Sequence, residues 1–178
     1  MLNRPKAILS ALISLIPATA VAAPFSWDDD VAGWNVGYDE ERKGCFIQKV
    51  FAEETRLRLG FSRAPKGGYL FVHRASWMSV VDDAKYKLTV RFPDNLAVEA
   101  IATGVRNATG GGFSIGSEGP EMHITLMKQP SVAFEKDGKT LLNISLSGTY
   151  DASIAMAACQ READATNYDS FEGVAPDR

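Results

Sequence analysis

From Trp34 to Phe61 apolar side chains recur at every second position. Trp34, Val36 and Tyr38 share one side, then Cys45, Ile47 and Phe51 with Lys49 among them, then Leu57, Leu59 and Phe61 with Arg56 and Arg58 opposite. A period of two is that of a half-buried strand, because successive side chains point to opposite faces of the pleat. The charged runs DEERKG and AEE between these segments read as turns, so the region predicts strand, turn, strand, turn, strand. GGYLFVHR extends the series, and KYKLTVRF places Tyr86, Leu88, Val90 and Phe92 on one side. Pro93-Asp94-Asn95 then makes a tight turn into a sixth strand, LAVEAIA.

The alternation fails in TGVRNATGGGFSIGSEGPEM, whose glycines argue against a packed strand or helix. This stretch predicts a long surface loop, mobile over 108–118 when no partner is bound. Loops of that length in a compact domain tend to carry function, which marks Arg106, Phe113 and Glu118 as a partner-contact surface. HITLMKQ resumes strand-like alternation. SVAFEKDGKTLLNISLSG does the same around Asp137-Gly138, a strong two-residue hairpin signal. The last element is a helix starting near Ser147 or Thr149, with Tyr150, Ile154 and Ala158 along one stripe. The expected fold is mainly β: an antiparallel β-sandwich or curved sheet of about eight to ten strands, closed by one C-terminal α-helix.

Residues 1–22 have the layout of a secretory signal peptide: Arg4 and Lys6, an apolar run from Ala7 to Ile16, then Ala18, Ala20 and Ala22, with cleavage expected after Ala22. Ser10, Ser14 and Pro17 interrupt the run, which falls short of the ~20 residues a spanning helix needs. Residues 23–161 then form a single β-rich domain, and the polar, aperiodic stretch 162–178 reads as a disordered tail. The expected location is periplasmic or secreted, with no transmembrane segment once the signal is removed. Loss of Arg4 and Lys6 moves the net charge from -3 to -5. No concentrated basic surface remains for a nucleic acid.

In an exported chain with two cysteines the default is that they pair, so Cys45 is expected to bond to Cys159 and pin the last helix to the sheet. A zinc site using these cysteines with His73 and His123 is disfavoured, because no two of the four lie close in sequence. His73 and His123 are the only histidines, so a general-base mechanism at neutral pH has few choices, and His73 has Asp82 and Asp83 downstream as orienting carboxylates. None of Ser76, Ser79, Ser114 and Ser117 stands in a G-x-S-x-G setting. The glycine-rich stretch lacks the Gly-Lys-Ser/Thr ending of a phosphate-binding loop, and Asp28–Asp30 lacks the rest of a calcium loop. No catalytic residue, metal or cofactor is assigned.

GWNV, GCFIQKVF and TRLRLGF at the start, with LLNISLSGTYDASIAMAACQ at the end, resemble small exported proteobacterial β-rich proteins of unassigned function. In layout the chain is distantly similar to the invasion-associated locus B family. Gly37-Tyr38 stands where that family has an early cysteine after W-x-V. The resemblance implies a periplasmic or secreted β domain and no known catalytic site. The leading expectation is a non-enzymatic binding or interaction module, recognising a protein or small ligand in the periplasm or outside the cell. The alternative is a small periplasmic hydrolase using His73 with an acidic partner.

Overall fold

The computed structural model describes residues 27–63 and 66–166. The segment 1–22 expected to be a signal peptide lies outside them, as do residues 167–178 of the expected tail. Ten strands are present: β1 (Asp28–Val31), β2 (Trp34–Asp39), β3 (Gly44–Val50), β4 (Arg56–Arg63), β5 (Lys66–Arg74), β6 (Lys85–Arg91), β7 (Ala97–Asn107), β8 (Gly110–Ser117), β9 (Ser131–Lys136) and β10 (Lys139–Ser145). A short helix α1 (Glu121–Lys128) precedes β9, and α2 (Thr149–Thr166) follows β10. The strands form one open antiparallel sheet in the order β1-β2-β3-β4-β5-β8-β7-β6-β9-β10. The sheet is curved: Leu142–Ile144 of β10, at one edge, share a small cavity with Phe51, Thr55 and Arg74 near the β3–β4 connection.

The register puts apolar residues in rows across the concave face. Val36 pairs with Ile47, Ile47 with Leu59, Leu59 with Leu70 and Leu70 with Ile115, and all five are buried. Burial of each such side chain contributes about 1.5–3 kcal/mol, so this row alone is a large share of the core. Beside it run Leu57, Val72 and Phe113, and further on Val90 faces Phe134. The Asp137-Gly138 turn joins β9 to β10 with φ of 51° and 73°, the left-handed pair a two-residue hairpin of this twist requires.

Three local expectations change. HITLMKQ is the helix α1, not a strand. Pro120 precedes it, Glu121 stands in its first turn and Lys128 in its last, while His123 and Leu126, three apart, are its buried residues. Asp28–Asp30, with their side chains exposed, make up most of edge strand β1, where Asp28 accepts a hydrogen bond from the Asn35 side chain at 2.5 Å. On α2 the buried stripe is Ala152, Met156, Cys159 and Ala163, whereas Tyr150 and Ile154 face solvent. The helix also runs to Thr166, past the boundary expected from the pattern.

The largest change concerns the glycine-rich stretch. It is not a loop but the C-terminal part of β7 and all of β8, in the middle of the sheet. A Cβ at Gly111 or Gly112 would collide with the Trp77 or Val72 carbonyl oxygen, so glycine is required where neighbouring backbone passes so close. Phe113 is only 4% exposed, stacked on Trp77 with centroids 5.8 Å apart and edge-on to Phe134 at 5.2 Å.

The sulfurs of Cys45 and Cys159 lie at disulfide bonding distance, with Cα atoms 6.1 Å apart. The bond ties α2 to the concave face of β3. At its other end α2 is entered through a turn held by Trp34, whose indole N–H donates to the Ser147 carbonyl at 2.9 Å. A link across 114 positions contributes up to about 5 kcal/mol in the chain-entropy model. Cys159→Ser is therefore expected to lower the denaturant midpoint strongly under oxidising conditions, and wild-type protein treated with dithiothreitol should converge on the variant. A midpoint gap that survives reduction would show that Cys159 acts through packing alone.

Candidate functional site

The residues expected to form a partner surface do not come together. Arg106 is exposed near the β7–β8 turn, with its backbone N–H donating to Asp82 at 2.9 Å. It pairs across the ladder with Gly111, and Glu118 lies seven positions further along the β8 chain, so the two are separated by about 23 Å at strand rise. Between them Phe113 points into the core. A surface using all three side chains would need Phe113 turned out of its contacts with Trp77 and Phe134, so Phe113 is a core residue and not a contact residue. Replacing 108–118 by a short Gly-Ser link should abolish folding, read as loss of the cooperative thermal transition, because it deletes a strand bonded on both sides. A retained transition would show that the sheet can close without β8.

The histidines do not gather in one cleft either. Tyr69, Phe71 and His73 alternate on the convex face of β5, whereas His123 packs over Gly68 and stacks on Phe61, with centroids 5.3 Å apart, on the concave face. Asp82, a candidate partner for His73, accepts the Arg106 N–H. Among the described residues no three His, Cys, Asp or Glu side chains cluster as metal ligands.

His123 is 3% exposed, and neither ring nitrogen makes a hydrogen bond of normal geometry. Burial drives its pKa from 6.5 to about 4, with the Gly60 backbone offsetting a little of that. The unfolded chain takes up this proton near pH 6.5 and the folded one only near 4. Unfolding therefore binds an extra proton in that window, and stability falls as pH is lowered through it by about 3 kcal/mol. His123→Phe keeps the stack on Phe61 and removes the titration. Its stability relative to wild type should rise by about that amount between pH 7 and 4, whereas parallel curves would mean that the ring is not held neutral.

A site that the sequence pattern does not reveal lies where the sheet splits. β7 and β8 pair only from Thr103–Ser114 to Asn107–Gly110. Beyond that, β7 stays with β6 over 97–102 and β8 stays with β5 over 115–117. The gap is a cleft of about 530 Å³, lined by Val98 and Ile101 of β7, Ile115 and Gly116 of β8, Met122 and Leu126 of α1, and Leu70 and Phe92 from the flanking core. Val98 and Ile101 are markedly exposed for apolar strand residues. The one signal in the sequence is that AVEAIA is apolar at neighbouring positions, on both faces of its strand. A second cleft, of about 470 Å³, lies between the β4–β5 hairpin and the end of α2; Glu118 lines it with Lys66, Gln160 and Asp164. There Arg63 is ion-paired with Asp164.

Comparison of the chain with protein-family models, with curated proteins and with solved structures returned no match. Among the described residues no helix is long and apolar enough to cross a membrane.

Proposed function

We propose that this protein is an exported, non-enzymatic binding module, periplasmic or secreted, whose ligand enters the cleft between β7 and β8. The signal-like N-terminus and the paired cysteines support export. One observation carries the binding reading: an apolar cleft of about 530 Å³ in the middle of the sheet, within the 300–1,000 Å³ typical of ligand sites. The layout shared with small exported β-rich proteins of unassigned function fits the same reading.

Gly116 offers a clean test, since a Cβ there meets nothing within 4 Å. A leucine at this position adds bulk to the β8 wall of the cleft on the Tyr69 side of the sheet, where its Cβ meets no neighbour. N-phenyl-1-naphthylamine, a neutral apolar fluorophore, should bind the wild-type protein saturably. Gly116→Leu should weaken it tenfold or more with an unchanged melting temperature. No saturable signal, or equal binding by the variant, would remove the cleft as the binding site.

A further inference from the structure

Resting on that reading, we infer that the occupant of the cleft is an extended peptide that adds to the free edge of β7 as a strand, with a basic residue directed to Glu121.

Backbone direction comes first. The Gly104 N–H donates to the Ala84 carbonyl at 2.7 Å, and its own carbonyl accepts from Asp83 at 3.0 Å, both on the β6 side. Backbone groups alternate sides along a strand, so Thr103, Ile101 and Glu99 direct theirs towards β8. Thr103 meets Ser114 there, but Ile101 and Glu99 have no β8 partner, because the ladder has ended. By the same alternation Gly116 of β8 directs its backbone back across the gap. Ala97, at the start of β7, faces the same way; of the backbone groups without a strand partner, those of Glu99, Ile101 and Gly116 line the cleft. Unpaired N–H and C=O groups in an apolar cleft call for a ligand carrying the complementary row, and a peptide backbone is that ligand.

Protection of the two kinds of edge differs. The outermost strand β1 bears Asp28, Asp29 and Asp30, the charged guard that keeps an edge from pairing. The β7 edge bears Val98, 46% exposed, and Ile101, 62% exposed. Its one charge, Glu99, is neutralised by an ion pair with Lys87 and a hydrogen bond from Thr89. Charge also selects the peptide. No lysine, arginine or histidine lines the cleft, and Glu121 has no cationic partner among the described residues. An anionic amphiphile would meet uncompensated repulsion there, whereas a lysine or arginine side chain would be matched.

The test uses the oxidised mature protein and three six-residue probes, each one lysine followed by alternating valine and threonine, leucine and serine, or phenylalanine and threonine. At least one should slow hydrogen exchange of the Glu99 and Ile101 amides tenfold or more, as read by NMR. Methylating alternate backbone nitrogens of that probe in the two complementary sets should give affinities differing by tenfold or more, since one set faces β7. Gly116→Leu should abolish the protection. Glu121→Lys should weaken the lysine probe and spare its norleucine analogue. If no probe protects these amides while N-phenyl-1-naphthylamine still binds, the module reading survives and strand addition is wrong. Protection by dodecylamine alone would assign the cleft to an acyl chain, and protection that grows with protein concentration without probe would assign it to a second copy. Either result overturns the inference.

Discussion

The fold depends on one shared register. Val36, Ile47, Leu59, Leu70 and Ile115 stand side by side across five strands, and a slip of one residue in any of them would turn its whole apolar set to solvent. Cys45 lies two residues before Ile47 and so points to the same concave face. The bond to Cys159 then sets which face α2 covers. With Met156 and Ala152 on the stripe that holds Cys159, the helix buries its small and flexible side chains against the row and leaves Tyr150 and Ile154 outside.

The opposite face is built on a different economy of space. Gly37, Phe46, Gly60, Tyr69 and Gly116 form a cross-strand row in which glycines alternate with rings. The Phe46 ring lies where a Gly37 side chain would be, and the Tyr69 ring where one at Gly60 would be. Arg58 sits over Phe46 at 4.0 Å and Arg42 over Tyr69 at 4.3 Å, so these guanidinium groups are held by rings and by Asp39, not presented to a polyanion. Only at Gly116, the last glycine of the row, does no ring fill the space, and that is where the sheet opens.

The opening follows from competing demands on β8. It is bonded to β5 from Gly111 to Ser117, but to β7 over five residue pairs only. After Ser117 the chain turns beneath the sheet into α1, whose Leu126 is buried in the core and lines the cleft. β7, tied to β6 along seven pairs, continues in its own direction. An apolar cleft with unpaired backbone on both walls is the consequence, in a molecule whose outer strand β1 is guarded by charge.

Much of this architecture was legible in the chain. Period-two alternation located β2 to β6 and the β9–β10 hairpin, because burial of one face acts on each strand locally; the Pro93-Asp94-Asn95 turn marked the start of β7, and the expectation that two cysteines pair selected Cys45–Cys159. The alternation could not distinguish α1 from a strand, since seven residues with apolar groups at two spacings fit both periods. It also misplaced the helical face, because Tyr150 and Ile154 are more apolar than the alanines that are buried. The glycine-rich stretch read as a loop because composition reports backbone freedom, not how closely a neighbouring carbonyl approaches. The cleft was invisible for the same reason: whether Glu99 and Ile101 find backbone partners depends on the path of β8, a distant segment in the sequence. Local pattern determined most of the strands and which of their faces turn inward; only tertiary packing made a strand of the glycine-rich stretch and decided where it parts from β7, because pairing is a property of neighbours that the pattern of one strand does not contain.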